Sequence, residues 1–360
     1  MKKLFLIFLL YCQPPTANCQ VKYFQQEVNY KIDVTLNDVD NTLDGFEIID
    51  YTNNSPDTLA YIWFHLWPNA YKNDRTAFSE QFLLLGRTDF YFSDVAQRGY
   101  INRLDFKVNN VTANLEDHPQ YIDIVKLILP SPLVPGQTIK ITTPFHEKIP
   151  LNFSRGGYVG KTYQITQWYP KPAVYDSKGW HPMPYLDQGE FYSEFGNFNV
   201  KITVPEGYVV AATGEEVSGS SNQQSVISNQ QSAVSSQQSA ISSQSSAFSS
   251  QQSAISKKDK NQRSKIKNQK PGIRNSTIKK EQIHIVSPPG GRKLKELHYI
   301  QNNVHDFAWF ADKNFIVKHD TLKLASGKII NVYAYHTPSG KEVWKNSISF
   351  LKDAIATRSA

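Results

Sequence analysis

Cysteine is nearly absent from this sequence of 360 residues. The only two cysteines, Cys12 and Cys19, lie in the first nineteen residues. A chain cleaved after Cys19 would have no thiol, which excludes disulfide bonds and cysteine-ligated zinc from its folded part. Long hydrophobic runs are absent too, because no later run reaches the roughly eighteen apolar residues of a membrane-spanning helix. We therefore expect an ordinary apolar core, no covalent cross-link and no transmembrane helix.

An excess of positive over negative charge is confined to a single stretch of the chain. The chain carries a net charge of +7, but residues 257–280 hold ten Lys/Arg and one acid. The other 336 residues therefore carry about −2 in total. A nearly neutral body argues against a nucleic-acid-binding protein, since such proteins need a basic surface.

The first nineteen residues have the order of a secretory signal peptide. Lys2 and Lys3 precede an apolar run from residue 4 to 11, and small residues stand near Cys19. This pattern predicts cleavage before Gln20 and export of the mature chain. A lipid-anchored Cys19 is the alternative, although residues 16–18 make a poor lipobox.

A period of two dominates residues 21–216, where apolar and polar residues alternate. The alternation is clear at 30–37, 138–142 and 200–204, and a further strand is predicted over 121–129, ending at Pro130. Gly, Pro and Asn punctuate these runs. The pattern predicts a mainly β fold, an antiparallel saddle or sandwich of sheets.

Residues 217–280 interrupt this pattern with a predicted disordered insert. Five Ser/Gln-rich heptads occupy 222–256, and their two apolar positions are adjacent, which does not suit a coiled coil. The basic stretch 257–280 follows and contains no aromatic residue that could stack on a base. An expanded surface loop followed by a solvated linker is favoured over an adhesive stalk or a polyanion-binding arm.

Ordered structure is expected to resume at residue 281. Ile283 and Ile285 alternate around His284, and residues 329–335 form another predicted strand. Thr337 and Pro338 then have the pattern of a cap and a first-turn proline. Helical spacing follows at these apolar residues: Trp344, Ile348, Leu351 and Ile355. The helix predicted here has an apolar face for which the last few residues offer no partner.

No complete active site is visible in the residues themselves. The only His-Glu pair, His146-Glu147, has Pro150 where HExxH needs its second histidine, and GxSxG, Walker and GxGxxG motifs are absent. One group of a histidine and three acids follows Trp180: His181, Asp187, Glu190 and Glu194. Its flanking aromatics favour structural hydrogen bonding over a metal or catalytic role.

Three blocks nevertheless resemble the aminopeptidase N-like zinc metallopeptidases, the gluzincins, in their secreted branch. They are YIWFHLWPNAYKNDRTAF (61–78), the stretch 165–215 with YPKPAVYD, GWH and PYLDQGEFYSEFG, and NNVHDFAWFADKNF (302–315). The resemblance covers most of 25–216 and 282–356. It implies a β-saddle domain packed on a thermolysin-like zinc domain that begins near residue 337.

The resemblance also shows what this sequence lacks. The HExxH zinc helix, the general base and the GxMEN-type loop of the family would follow the helix at 341–356, and this chain ends at Ala360. The chain is thus expected to be truncated before the catalytic core. The family implies zinc and a peptide substrate bound through the missing domain, but this chain has no predicted catalytic or metal residue.

One segment of the family's β-domain contributes to the pocket for the substrate amine, with the pattern T-Q-x-[EQ]. Here Thr166 and Gln167 match it, but Tyr169 stands where the acid or amide is expected. Gln167 and Tyr169 are therefore the predicted substrate-binding residues. A strand amide satisfied by the backbone is the alternative for Gln167.

The predicted organisation has five parts: a signal peptide (1–19), a β-domain (21–216), the insert (217–280), the end of the β-domain (281–336) and the start of a catalytic domain (337–360). The predicted function is that of the non-catalytic β-domain of an exported zinc metallo-aminopeptidase. The alternatives are a secreted β-sandwich module that binds glycan or polyanion, and a remnant without function.

Overall fold

A computed structural model describes residues 23–217 and 293–359. Strands dominate both stretches, so the predicted mainly β fold is confirmed. The elements are β1 (Glu27–Asn37), β2 (Thr42–Thr52), β3 (Leu59–His65), α1 (Ala77–Leu84), β4 (Tyr100–Asn102), β5 (Lys107–Val108), β6 (Val111–Thr112), β7 (Asn114–Asp117), β8 (Ile124–Leu133), β9 (Thr138–Lys148), β10 (Gly157–Val159), β11 (Thr162–Ile165), β12 (Lys171–Pro172), β13 (Val174–Asp176), β14 (Gly179–His181), β15 (Gly196–Pro205), β16 (Val209–Ala212), β17 (Glu215–Glu216), β18 (Leu294–Val304), β19 (Trp309–Asp312), β20 (Ile316–Lys323), β21 (Ile329–His336) and α2 (Ser347–Arg358), with 3₁₀ turns at Trp67–Tyr71, Val95–Gln97 and Pro338–Gly340.

The strands form three larger sheets and two hairpins. The main sheet has the order β17-β18-β15-β1-β2-β9-β5-β6, with β4 also on β9. The two four-stranded sheets are β10-β11-β19-β16 and β12-β3-β8-β7, and the hairpins are β13-β14 and β20-β21. Within the described residues the named strand pairs are antiparallel except one: β1 and β15 run parallel, from Tyr30 opposite Phe198 to Thr35 opposite Thr203.

The alternating residues of these strands meet in one apolar core. Val28, Ile32 and Val34 of β1 are at most 2% exposed, and Tyr30 is 3% exposed. The alternate residues of the strand are half-buried or exposed. The two smaller sheets supply aromatic side chains to the same core, among them Phe64 and Trp309. A second cluster of aromatic side chains forms around α1 and the 3₁₀ turn before it: Trp67, Tyr71, Phe78, Phe82, Phe90 and Tyr185.

The described residues on the two sides of positions 218–292 lie in neighbouring strands. β17 pairs with β18, and Val217 donates a backbone hydrogen bond to His298. Both strands lie at one edge of the main sheet. The signal peptide, residues 218–280 and the strand predicted around His284 lie outside the described residues.

One strand was predicted with both boundaries wrong. The strand predicted over 121–129 begins three residues later, at Ile124, because residues 121–124 close a turn in which the Ile124 amide bonds to Tyr121. It also continues through Pro130 to Leu133. The pairing with β3 shifts between Leu59 and Tyr61, so the proline occupies an irregular stretch where no ladder donor is needed.

The C-terminal helix also begins later than predicted. Pro338 opens a short 3₁₀ turn, and the α-helix starts only at Ser347, so Trp344 precedes it. The helix lies against the β20-β21 hairpin, where Lys352 Nζ is 2.8 Å from Asp320 Oδ2. Leu351 remains 37% exposed, so the hairpin covers the predicted apolar face only in part. Neither α-helix in the two described stretches is long and apolar enough to cross a membrane.

Gly196 provides a test of the close approach between β1 and β15. A Cβ atom at Gly196 would lie 1.6 Å from the Val28 carbonyl oxygen, which is far inside contact distance. We expect Gly196→Ala to lower the free energy of unfolding by about 3 kcal/mol, because the two backbones must separate. Urea denaturation followed by circular dichroism measures this change.

Gly207→Ala is the matched control, since nothing lies within 4 Å of a Cβ there. Its expected effect is within about 0.5 kcal/mol. Equal effects at the two positions would show that the close approach does not constrain the sheet.

Candidate functional site

The segment that carries the predicted site begins where β11 ends. Gln167 has a φ of +50°, in the left-handed region that a residue with a side chain adopts rarely. Trp168 and Tyr169 follow and are at most 1% exposed. The Trp168 indole Nε1 donates to the Phe307 carbonyl at 2.9 Å. The strained turn thus lies between a strand and two anchored aromatic rings, so its conformation is set on both sides.

Asp306, which follows β18 in the second described stretch, contacts three side chains of this segment. Its Oδ2 accepts from Gln167 Nε2 at 3.2 Å, and its Oδ1 accepts from the Tyr169 hydroxyl at 2.9 Å. Lys171 Nζ lies 3.3 Å from the same Oδ1 and also donates to the His305 carbonyl. One carboxylate therefore orients three side chains that are more than 130 residues away in sequence.

Burial makes the charges of this cluster costly. The Lys171 side chain is 2% exposed, and burial lowers the pKa of its ammonium while Asp306 opposes that shift. Burial, with Lys171 as a smaller cause, lowers the pKa of His65 to about 3. His65 is therefore neutral, and its Nε2 accepts a hydrogen bond from the Met183 amide at 3.1 Å.

A cavity opens beside this turn. Its walls combine the aromatic side chains Trp67, Tyr71 and Tyr185 with the polar side chains Glu147, Thr166 and Gln167. Three buried oxygens of these polar side chains have no hydrogen-bond partner among the described residues: Glu147 Oε2, Thr166 Oγ1 and Gln167 Oε1. The amide of Gln167 is thus held through its nitrogen, and its oxygen remains free to accept a hydrogen bond.

The two predicted substrate-binding residues differ in what they can do. Gln167 lines the cavity and has a free acceptor. Tyr169 shares Asp306 with it, but the Tyr169 hydroxyl already donates to that carboxylate and the residue is not among those that line the cavity. The substrate-binding roles of both residues stay predictions.

The acidic cluster singled out after Trp180 is dispersed in the structure. His181 pairs with Asp176 at 2.8 Å, Asp187 accepts from Ser154 at 2.6 Å, and Glu190 is exposed. Glu194 is 2% exposed and accepts from the Tyr175 amide at 3.3 Å. Within residues 23–217 and 293–359, no group of three or more His, Cys, Asp or Glu side chains is arranged to hold a metal ion.

Three residues of the site were not predicted from the sequence: Glu147, Lys171 and Asp306. Glu147 could have been found, because it falls on the alternate positions of β9 that carry the buried residues Ile141 and Phe145. An acid at such a position indicates a functional or hydrogen-bonded group. Lys171 and Asp306 stand in separate resembling blocks, and nothing in the sequence says that they meet.

Comparisons with known proteins give no family assignment by sequence. No protein-family model matches the chain, and no curated protein matches it. Among solved structures, a two-domain M1 zinc metallopeptidase variant bound to L-arginine is similar, with 11% identity, a TM-score of 0.42 and coverage of 87% of this chain and 48% of that chain.

Two further similar structures come from Deinococcus radiodurans. They are an M1 zinc metallopeptidase, with 13% identity, and a variant bound to a Tyr-Ser-Ala substrate, with 12% identity. Each has a TM-score of 0.41, with 87% of this chain and 48% of that chain covered. The chain spans about half the length of these structures. At these values the similarity shows neither a family nor an activity, so both are proposals that rest on this chain's own residues.

The Asp306 cluster predicts a large cost for removing one partner. Asp306→Ala leaves the buried Lys171 ammonium without its counter-charge, so we expect the free energy of unfolding to fall by about 3–5 kcal/mol. Chemical denaturation at pH 7 measures this loss. Asp50→Ala is the control, since its pair with Lys140 (2.7 Å) is about half exposed and should contribute less than about 1 kcal/mol. A small effect at both positions would contradict the role given to Asp306.

Glu194 predicts a pH dependence of stability. Burial raises the pKa of its carboxyl to about 7 from an ordinary value near 4.5, so the folded chain holds this proton more tightly than the unfolded chain. Stability is therefore lost as the pH rises from about 4.5 to about 7. Glu194→Gln should remove this loss and be more stable than the wild type by about 3 kcal/mol at pH 8, with little difference at pH 4.

Thermal and urea unfolding across pH 4–8 measures the difference between the two proteins. The exposed Glu190→Gln is the matched control and should differ from the wild type by less than about 0.5 kcal/mol. A constant difference between Glu194→Gln and the wild type at all pH values would contradict the assignment.

Proposed function

We propose that this chain supplies the non-catalytic β-domain of an aminopeptidase N-like zinc metallopeptidase and binds the amino end of a peptide. The observation that carries the proposal is the free Gln167 Oε1 beside a cavity, held by the bond from Gln167 Nε2 to Asp306. An amide oxygen fixed in this way is an acceptor for the ammonium group of a peptide N-terminus. The mainly β architecture and the three resembling blocks support the same proposal.

Zinc belongs to the proposed family and not to the residues described here. The sequence has no HExxH motif, and the described stretches contain no side-chain group arranged for a metal ion. In the proposed family, a bound zinc ion would supply Lewis-acid polarisation of the peptide carbonyl, and a glutamate would activate water. We propose that this chain binds a peptide without hydrolysing it.

Export is part of the proposal and rests on the sequence of residues 1–19. A signal peptide removed before Gln20 would leave a chain without cysteine, in keeping with a core that needs no disulfide. A lipid anchor on Cys19 is the alternative.

The glycan-binding alternative finds less support. The half-buried rings on the outer side of β3 contact one another, since Tyr61 stacks on Trp180 at 6.1 Å and Trp63 lies 5.2 Å from His118. Lys126 Nζ lies within 5.2 Å of both the Tyr61 and the Trp63 ring centres. Rings whose neighbours already contact them offer little free surface for a sugar to stack on. The basic stretch 257–280 lies outside the described residues.

A binding assay with the full chain tests the proposed function. Trialanine should change the tryptophan fluorescence, because Trp67 lines the cavity, and N-acetyl-trialanine should not. Gln167→Ala should weaken trialanine binding about tenfold, the effect of one hydrogen bond to a charged group. Release of alanine from trialanine should stay at background with and without added zinc.

Gln120→Ala, an exposed residue in a turn, is the control and should bind like the wild type. Equal binding of the acetylated peptide would overturn the amine-binding proposal. Zinc-dependent release of alanine would overturn the proposal that the chain does not hydrolyse peptides.

A further inference from the structure

Four polar side chains around the cavity each have a buried oxygen without a hydrogen-bond partner among the described residues. The four oxygens are Tyr71 Oη, Glu147 Oε2, Thr166 Oγ1 and Gln167 Oε1. Tyr71 and Glu147 are each 5% exposed. A polar atom at this depth loses its hydration, so four such atoms around one cavity indicate a bound group that satisfies them.

The other polar side chains of the cavity wall already have partners. The Trp67 indole Nε1 donates to a backbone carbonyl at 3.1 Å. The Tyr185 hydroxyl lies 3.1 Å from Ser154 Oγ. Gln164 Oε1 accepts from Asn152 Nδ2 at 3.2 Å. The four oxygens without a partner therefore define what the cavity can bind.

The four groups divide equally into donors and acceptors. Tyr71 and Thr166 have hydroxyl protons to donate, whereas the oxygens of Glu147 and Gln167 can accept. A water molecule accepts two hydrogen bonds and donates two, so one water uses all four groups. An ammonium accepts none and leaves the two hydroxyl protons without an acceptor, and an anion leaves the Gln167 oxygen without a donor.

Size and charge favour the same ligand. The cavity has room for about one water molecule. Burial raises the pKa of Glu147 well above its usual range, which favours the neutral acid. A neutral site of this size binds water in preference to a cation, because a buried cation needs a negative partner.

We infer that this cavity binds one internal water molecule, which accepts from the two hydroxyls and donates to Glu147 and Gln167. The water joins three elements: the 3₁₀ turn Trp67–Tyr71, β9 and the turn that follows β11. It holds the Gln167 amide at its oxygen, as Asp306 holds it at its nitrogen. The inference concerns the chain without a peptide and does not rest on the proposed function.

A crystal structure of the full chain without peptide tests this inference. We expect one density peak in the cavity, within about 3.2 Å of at least three of the four oxygens. No peak, or a peak with fewer of these contacts, overturns the inference. Contacts of about 2.3–2.6 Å would identify a metal cation such as Ca²⁺ and would overturn it as well.

Magnetic relaxation dispersion of water, which counts long-lived internal waters in solution, provides a second measurement. Glu147→Met combined with Thr166→Val replaces two of the four partners with apolar side chains. We expect this double variant to hold one long-lived water fewer than the wild type, because the remaining two groups hold the water less firmly. An equal number in the two proteins overturns the inference.

Glu190→Met combined with Thr112→Val is the matched control, because it makes the same exchanges at two exposed positions. It should leave the number of long-lived waters unchanged. The crystal structure needs no variant, so the inference can be overturned even if the cavity variant fails to fold. Neither measurement uses trialanine, so failure of the proposed function leaves this inference standing.

Discussion

The contacts of Asp306 are the interaction on which the site depends. Its carboxylate fixes the amide of Gln167, the hydroxyl of Tyr169 and the ammonium of Lys171 from a segment that follows β18. These contacts join the two described stretches of the chain. A Coulombic contact at this depth is strong because little water screens it, but each buried charge must be matched. The position of the Gln167 amide beside the cavity follows from its bond to Asp306.

The sheets provide the rigidity that the turn at Gln167 requires. β11 carries the chain into the turn, and its pairing with β19 places Phe307 and Asp306 beside it. A left-handed residue with a side chain persists only where its surroundings determine it on both sides. Here a strand holds one side, and the buried ring of Trp168 holds the other.

Buried glutamates lower the stability of this fold. Glu47, Glu147 and Glu194 all lie on buried positions, and burial raises the pKa of each. A core made for stability alone would place apolar residues there, because an unpaired acid loses hydration without a compensating bond. Only Glu147 of the three lines the cavity beside Gln167.

Local pattern in the sequence determined the fold class and most strands, because alternation of apolar and polar residues is a property of each strand alone. The resemblance to the aminopeptidase N-like family, and not the alternation, gave Gln167 as a predicted substrate-binding residue. The start of β8 and of α2, the parallel pairing of β1 with β15, and the meeting of Glu147, Lys171 and Asp306 were decided by tertiary structure. Contacts between strands distant in sequence depend on sheet order and register, which no local period encodes.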